Sequence, residues 1–250
     1  SKAWVHEQYD STVRTNTVQG PGGDAGVLRI RGTKRGIAAT VDCNARYVYL
    51  DPRKGGMIAV AEAARNLVCV GARPRAVTDN LNFYQMEQST LGMAEACERL
   101  ETPVTGGNVS LYNENPRGAI FPTPVVGMVG VLDDVSKSIG AGFRAPGEAI
   151  VLLGRNTAEI GASEYLKVIH GKTAGAVPAV DLAAEKALHE AVLAMVDKGL
   201  LSSAHDCAEG GLAVCLAESA MGARGGPVGG TVTLEDALPV TALLFGEAQG

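Results

Sequence analysis

The sequence has no excess of positive charge, no closely spaced pair of cysteines and no long apolar run, and each shortage excludes a class of protein. The net charge of −5 argues against a nucleic-acid-binding groove. None of the five cysteines forms a C-x-x-C pair, which favours reduced thiols over a disulfide framework. The longest apolar runs are too short to span a bilayer, and the first residues do not resemble a signal peptide. We therefore expect a cytoplasmic protein without nucleic-acid or membrane partners.

Enough apolar sequence is present for one large domain or two modest ones, since 46% of the 250 residues are hydrophobic. Strand and helix patterns alternate over the first half of the chain. Strands are predicted at 26–32, 36–42, 74–83 and 123–134, and helices at 55–72 and 91–104. This order predicts an α+β domain over residues 1–140, with two helices covering one face of its sheet.

A Gly/Pro-rich segment at 142–149 is the predicted linker to a second domain. The longest helical pattern follows at 181–201, and residues 202–221 have the pattern of a strand, a glycine turn and a helix. Three further strands are predicted at AIVLLG (149–154), TVTLED (231–236) and ALLFGEAQ (242–249). These elements predict a second α/β domain over residues 145–250, incomplete at its C-terminus because the chain stops just after a predicted strand.

The stretch TGGNVSLYNE (105–114) places Asn108, Ser110 and Asn113 behind a glycine pair, without the lysine of a P-loop. Glycines let backbone N–H groups approach phosphates, and amide or hydroxyl oxygens can complete a Mg²⁺ shell. Phosphoryl transfer depends mostly on positioning and charge neutralisation, so such a loop suffices. From the residues alone, an ordinary glycine turn capped by Asn and Ser fits the stretch at least as well.

Three acidic residues are further candidates for a binding site. Asp79 stands at the carboxyl end of strand 74–83, where α/β sheets bind ligands, although it also fits a turn cap. Asp206, in HDCAEGGL, precedes a glycine pair that opens a helix, so it suits a metal bound beside an anion or a structural turn. Asp42 ends strand 36–42 and offers another metal contact.

Six segments carry a resemblance to a known family. They are NTVQGPGGDAGVLRI (16–30), RYVYLDPRKGGMIAVAEAARN (46–66), GARPRAVTDNLNF (71–83), TPVTGGNVSLYNE (102–114), HDCAEGGLAV (205–214) and LFGEAQ (244–249). Together they resemble the second half of the small form of phosphoribosylformylglycinamidine synthase, in the aminoimidazole-ribonucleotide-synthetase-like superfamily. The resemblance runs from about Tyr9 to the C-terminus, and the set of motifs is far more specific than any one of them.

The resemblance implies a synthetase-like N-terminal domain followed by a synthetase-like C-terminal domain. It implies a part in purine synthesis, in a ligase that converts formylglycinamide ribonucleotide, ATP and glutamine-derived ammonia to formylglycinamidine ribonucleotide, ADP and phosphate. It assigns ATP contacts to Asp79 and Gly107, the Mg²⁺ ion to Asn108 and the ribonucleotide substrate to Ser110. It assigns no catalytic residue to this chain.

The sequence departs from the family pattern at several positions. Asn66 stands where the other half of such enzymes has a metal-binding Asp, and Ala208 replaces a common Ser. The loop after Asn82 is shorter than usual, and the family's catalytic histidines have no counterpart here. Asp42 and Asp206 remain as further candidate metal ligands. We therefore expect the chain to be inactive alone, and a non-catalytic nucleotide-binding or scaffold module of the same superfamily is the alternative.

The resemblance also implies partners. These are the first half of the synthase, a glutaminase subunit and a small bridging subunit. Because the superfamily pairs the sheets of two such domains, an isolated chain would expose an apolar sheet face, and we expect it to form a homodimer.

Overall fold

A central sheet covered on one face by helices organises the first half of the chain. The structure is a computed structural model that describes residues 4–82, 86–223 and 225–249. Its strands are β1 (Thr17–Gln19), β2 (Gly26–Arg29), β3 (Gly36–Asp42), β4 (Arg73–Asn82), β5 (Val104–Val109), β6 (Glu114–Asn115), β7 (Gly118–Ala119) and β8 (Thr123–Leu132). Six of them form one sheet in the order β1-β2-β3-β8-β4-β5, and β6 pairs with β7 in a small hairpin.

Helices account for most of the remaining regular structure. They are α1 (Trp4–Glu7), α2 (Ala45–Leu50), α3 (Pro52–Cys69), α4 (Met86–Leu100), α5 (Glu164–His170), α6 (Leu182–Asp197), α7 (Gly211–Met221) and α8 (Val240–Phe245). The predicted hairpin, the two helices of the first half and the strands that became β4 and β8 are confirmed, with shifts of several residues at their ends.

Helix α3 is the centre of the packing. Asp51 caps its start by accepting a hydrogen bond from the Lys54 N–H (3.1 Å), and Pro52 occupies the first turn, where its missing N–H costs nothing. The helix is buried nearly all round because the sheet lies on one side while α4 and α6 lie on others. It approaches α4 closely, since a Cβ at Gly56 would lie 2.4 Å from the Ser89 carbonyl oxygen.

The two faces of the sheet differ. Ala38, Val126 and Met128 point toward the helices and are buried in one apolar core. On the opposite face Ile37, Val41 and Val129 are exposed by 40%, 69% and 40%. We call this second surface the open face. The predicted arrangement of two helices on one side of the sheet is therefore confirmed, and the other side is apolar and uncovered.

Helix α6 connects the second half of the chain to the first. Val192, Leu193 and Val196 on α6 pack with Val68 of α3 and with Ile139 in one buried cluster. Helices α7 and α8 pack against each other farther along the chain. The chain is thus a mixed α/β protein, as predicted. None of the described helices combines the length and apolar character needed to cross a membrane.

The individual strands predicted in the second half are wrong. Residues 149–154 and 231–236 form no ladder among the described residues, and the strand predicted within 202–210 is reduced to one isolated bridge, Gly140 with Ser203. Residues 240–245 form α8 instead of a strand, starting after Pro239 and burying Ala242 and Leu243. β-branched and apolar runs report strand propensity, but a strand forms only where a neighbour pairs its N–H and C=O groups.

The glycine pair Gly106-Gly107 is also not the turn that the sequence predicts. Both residues lie inside β5, without positive φ, and β5 pairs with β4 as a parallel edge strand. The turn composition was misleading because Gly107 permits a close approach to Asp79 of the neighbouring strand.

Candidate functional site

The parallel pairing of β4 with β5 brings the predicted nucleotide-binding residues together. Asp79 is the register partner of Gly107, and Asn80 is the partner of Asn108. The backbone N–H of Ser110 donates to the carbonyl oxygen of Leu81 (2.8 Å), so the chain leaves the sheet beside the end of β4. The two sequence segments therefore meet at the free edge of the sheet, near the carboxyl ends of two parallel strands.

A close contact explains why glycine occupies position 107. A Cβ there would lie 2.0 Å from Asp79 Oδ1 and 2.6 Å from the Asp79 carbonyl oxygen. A Cβ at Gly106, one residue earlier, would have no atom of the described residues within 4 Å. The carboxylate of Asp79 occupies the space that a side chain at 107 would take, and partial burial raises the pKa of Asp79.

Asp79 and Asn108 lie on opposite faces of the sheet. Side chains alternate along a strand, and the buried Val77 and Leu81 place Asp79 on the side of the helices. Asn80 and its partner Asn108 point to the open face, where Asn108 Nδ2 donates to Asn80 Oδ1 (3.0 Å). A ligand that contacts both Asp79 and Asn108 has to pass around the edge strand β5, which is exposed along its whole length.

Asp42 belongs to the same row of the sheet as Asp79. Asp42 pairs with Val126, and Val126 pairs with Asp79, so the two aspartates are two strand spacings apart, about 10 Å. Asn66 of α3 donates from Nδ2 to Asp42 Oδ2 (2.9 Å), which holds the Asp42 carboxylate against the helix layer. The structure thus separates the candidate site residues into two groups. The edge group lies at the free edge of the sheet and consists of Asp79, Gly107, Asn108 and Ser110. The inner group consists of Asp42 and Asp206.

The inner group lines a cavity of about 240 Å³ between the sheet, α3 and the loop before α7. We call it the acidic cavity. Its lining residues are Asp42, Glu62, Asn66, His205, Asp206, Ala208, Glu209, Cys215 and Glu218. The carboxylates outnumber the cationic groups in this lining, so the cavity is strongly negative when they are ionised.

Burial and mutual repulsion disfavour ionisation in the acidic cavity. Burial, with the charges of Glu209 and Asp206, raises the pKa of Asp42 to about 7. Burial also raises the pKa of the Glu62, Asp206 and Glu209 carboxyls above the usual range. Asp206 Oδ2 is buried and has no hydrogen-bond partner among the described residues. These oxygen donors fit a hard cation such as Mg²⁺, which would supply the missing positive charge.

His205 stands at the rim of the acidic cavity in a chain of ion pairs. Its Nδ1 lies 2.6 Å from Asp24 Oδ1, and its Nε2 lies 3.1 Å from Glu218 Oε2. Burial acts to lower the pKa of His205, but the hydrogen bonds to these carboxylates outweigh burial and raise the pKa to about 9. The ligand atoms of Asp24, His205 and Asp206 lie within 4.8 Å of one another. With both ring nitrogens engaged, His205 is an imidazolium at neutral pH and is unsuited to act as a general base.

Arg65 is a functional feature that the sequence analysis missed. Its guanidinium is buried, with Nε 3.3 Å from Glu185 Oε2 and Nη1 3.7 Å from Asp206 Oδ2, and Nη2 donates to Gln249. All three partners come from the second half of the chain. Glu185 also meets His189 four residues later on α6 (3.3 Å). The sequence does contain a signal for this role, because Arg65 interrupts the run of alanines and valines by which α3 packs in the core.

Glu247 is a second residue that the sequence analysis missed, and it lies in the LFGEAQ segment (244–249). Its buried carboxylate accepts hydrogen bonds from the Tyr47 hydroxyl, from the Glu164 N–H (2.7 Å) and from the Gly210 N–H (2.8 Å). It joins α2 to the starts of α5 and α7, and so fixes the glycine turn after Asp206. The shortened loop predicted after Asn82 falls on residues 83–85, which lie outside the described residues.

Two family models match the chain. The N-terminal domain model of AIR synthase related protein matches residues 22–132, and the C-terminal domain model matches residues 145–247. The domain limits of 1–140 and 145–250 remain a prediction.

Two curated relatives are similar over the whole chain. Phosphoribosylformylglycinamidine synthase subunit PurL of Moorella thermoacetica is 57% identical over 258 residues, and the same subunit of Alkaliphilus metalliredigens is 52% identical over 258 residues. Each alignment covers 100% of this chain and 35% of the relative. The chain therefore spans about a third of the length of the curated relatives that it matches.

Three solved structures are similar. T. maritima PurL complexed with ADP has a TM-score of 0.70 at 22% identity over 94% of this chain and 38% of that chain, which bears on the fold alone. T. maritima PurL complexed with AMPPCP has a TM-score of 0.54 at 28% identity, covering 78% and 30%. PurLQS from Thermotoga maritima has a TM-score of 0.50 at 36% identity, covering 56% and 25%. The predicted fold class is confirmed.

We expect Gly107→Ala to destabilise the protein, whereas Gly106→Ala does not. The added methyl at 107 collides with the carboxylate and backbone of Asp79, and overpacking of this kind costs about 1–3 kcal/mol. Gly106→Ala places its methyl in open space on the same exposed strand and serves as the matched control. Urea unfolding measures both. Equal free energies of unfolding for the two variants would show that the Asp79–Gly107 contact is not formed.

We expect Arg65→Leu to lower the free energy of unfolding by about 3–5 kcal/mol, because it leaves the buried Glu185 and Asp206 carboxylates without their cation. Arg73 also pairs with a glutamate of α6, Glu190, but both side chains are about half exposed, so Arg73→Ala should cost less than about 1 kcal/mol. Adding Glu185→Leu to Arg65→Leu should recover part of the loss. Urea unfolding of the four proteins checks this, and a small effect of Arg65→Leu would contradict the buried network.

Proposed function

The chain belongs to the family of AIR synthase related proteins, and from this we propose that it is one two-domain unit of a phosphoribosylformylglycinamidine synthase. The enzyme would form formylglycinamidine ribonucleotide, ADP and phosphate from formylglycinamide ribonucleotide, ATP and glutamine-derived ammonia, in purine biosynthesis. Relatives at 57% and 52% identity that carry this name support the proposal. The observation that carries it in the structure is the pairing of Asp79 with Gly107 and of Asn80 with Asn108 at a free sheet edge.

In this proposal the edge group holds ATP and its cation. Gly107 contacts ATP through its backbone on the exposed edge strand, and Asp79, whose carboxylate fills the space beside Gly107, contacts the nucleotide from the helix side of β5. Asn108 offers a neutral side-chain oxygen to Mg²⁺ on the open face, and the Ser110 hydroxyl binds the ribonucleotide substrate. Mg²⁺ would supply charge neutralisation during phosphoryl transfer. The AMPPCP complex of T. maritima PurL supports nucleotide binding by this type of domain.

The acidic cavity is the proposed second place for a metal. Asp42 and Asp206 face it with raised pKa values, and Asp206 Oδ2, which lies 3.7 Å from Arg65 Nη1, accepts no hydrogen bond from the described residues. A divalent cation there would stabilise the ionised carboxylates and the packing of the loop before α7 on α3. The role we propose is structural, because carboxylates engage both ring nitrogens of His205 and no residue of the cavity is assigned to the chemistry.

The chain alone is proposed to be inactive. Its ATP and substrate contacts lie at an edge and on an open face, so another surface has to cover the ligand before water is excluded. The first half of the synthase is the proposed cover, and a glutaminase subunit and a small bridging subunit are the proposed further partners. The relative described as PurLQS supports an assembly of several subunits. We place this assembly in the cytoplasm.

A second reading is a nucleotide-binding or scaffold module without turnover. It is favoured by Asn66, whose amide donates to Asp42 where a carboxylate would bind a cation directly. In that case Mg-ADP would raise the melting temperature of the chain by mass action. Variants at the edge group would leave the turnover of the complete synthase unchanged.

In the complete synthase, we expect Asp79→Ala and Asn108→Ala each to lower kcat/KM for ATP on the order of a hundredfold. The first removes the proposed contact to the nucleotide, and the second removes the proposed contact to its cation. Asn115→Ala, at an exposed asparagine of the β6–β7 hairpin, is the control and should leave kcat/KM unchanged. Steady-state kinetics with saturating ammonia gives the comparison. Near-normal turnover in both edge variants would remove the catalytic proposal, and stabilisation by Mg-ADP would then favour the scaffold.

The isolated chain should be a homodimer that is held together through the open face. Val41→Lys places a charge in the middle of this apolar surface and should give a monomer. Val168→Lys changes an equally exposed valine on α5 and should remain dimeric. Light scattering at several concentrations measures the mass. A monomeric chain at high concentration, or equal effects of the two lysines, would contradict this interface.

A further inference from the structure

We propose that Asn80 is the positioning residue for the cation at Asn108, an inference that rests on the proposed function. Asn80 accepts a hydrogen bond at Oδ1 from Asn108 Nδ2 at 3.0 Å. The amide of Asn108 has two different ends, and only its oxygen can bind a cation. By engaging the nitrogen, Asn80 leaves the Asn108 oxygen as the end that faces away from the pair.

The backbone around Asn80 makes it a rigid anchor. Asn80 lies in β4, paired on one side with Val125 of β8 and on the other with Asn108 of β5. Asn108 lies in the edge strand, which is paired on one side only and exposed along its length. Asn82 Nδ2 donates to the Asn80 carbonyl oxygen (3.3 Å), which adds to the order of β4 near its end. The interior strand β4 therefore fixes the orientation of the Asn108 side chain on the exposed edge strand β5.

The chemistry of the pair matches a cation bound to phosphate. With its nitrogen engaged, Asn108 presents an acceptor, and the Asn80 amide presents its own N–H₂ group beside it. The Asn108 oxygen would hold the cation, and the Asn80 N–H₂ group would donate a hydrogen bond to a nearby phosphate oxygen. A freely rotating Asn108 would turn its N–H₂ group toward the cation for part of the time, and the cation would be bound more weakly. Partners that orient a metal ligand commonly contribute about 10–100-fold in affinity.

Three substitutions separate orientation from simple loss of stability. Asn80→Ala removes the acceptor, and Asn80→Asp keeps a side-chain oxygen at the same position and should rescue the orientation. Thr78→Val is the matched control, because Thr78 lies on the same face of β4 two residues earlier. Asn108→Ala, which removes the proposed ligand itself, tests the proposed function independently.

The first measurement needs no ligand. In the 250-residue chain, the side-chain N–H₂ of Asn108 is followed by nuclear magnetic resonance. One of its two protons should be protected from exchange in the unmodified chain, in Asn80→Asp and in Thr78→Val, but not in Asn80→Ala. Equal protection in Asn80→Ala would overturn the proposal, because Asn108 would then be held by another group.

The second measurement titrates Mn²⁺ into the complete synthase with ADP present. Asn80→Ala should raise the half-saturating Mn²⁺ concentration about tenfold, whereas Asn80→Asp and Thr78→Val should stay at or below the unmodified value. An unchanged value in Asn80→Ala, or a value for Asn80→Asp as high as for Asn80→Ala, would overturn the positioning role. If Asn108→Ala also has no effect, the metal assignment of the proposed function falls with it. If Asn108→Ala alone weakens binding, that assignment stands without Asn80.

Discussion

The register between β4 and β5 is the constraint on which the candidate site depends. Because side chains alternate, a slip of β5 by one residue against β4 would move Asn108 to the helix side and Gly107 to the open face. Three contacts hold the register: the pairing of Asp79 with Gly107, the bond between Asn80 and Asn108, and the N–H of Ser110 on Leu81. Gly107 contributes by having no side chain, since any Cβ would push β5 off β4. The site is therefore a property of strand pairing before it is a property of individual polar residues.

The second constraint is electrostatic and connects the two halves of the chain. Arg65 of α3 is buried against Glu185, Asp206 and Gln249, which arrive from three separate segments of the second half. Burial raises the pKa values of Asp42 and Glu62, and the neighbouring carboxylates add to this because one guanidinium does not balance them. A protein optimised only for stability would replace such a cluster with apolar side chains. Its presence is in keeping with the cation proposed for this cavity, with Arg65 as the permanent part of the positive charge.

Local patterns in the sequence predicted the local structure well. The β2–β3 hairpin, α3, α4 and β8 follow from periodicity and caps, which depend on neighbours along the chain. β5 was predicted as a turn, because glycine pairs favour turns and only the partner strand reveals the need for close approach. The predictions of strands at 149–154 and 231–236 were wrong for the converse reason. Their apolar residues have strand propensity, but no neighbour among the described residues pairs with them. In the site, the sequence predicted that Asp79 and Gly107 meet, but neither the opposite faces of Asp79 and Asn108 nor the burial of Arg65.

The division of the site between two faces limits what the chain can do by itself. A carboxylate on the helix side and an amide on the open side can hold a nucleotide only around the rim of β5, where solvent reaches both. Charge neutralisation of polyphosphate is weak in water and strong in a dry site. The open face is polar beside Asn108, at Thr78 and Asn80, and apolar on β3 and β8, where Ile37, Val41 and Val129 are exposed. A surface that covers the face from β3 to β5 would bury these apolar side chains and dry the rim together. In the proposed function, association across the open face and a functional nucleotide site are therefore two consequences of the same contact.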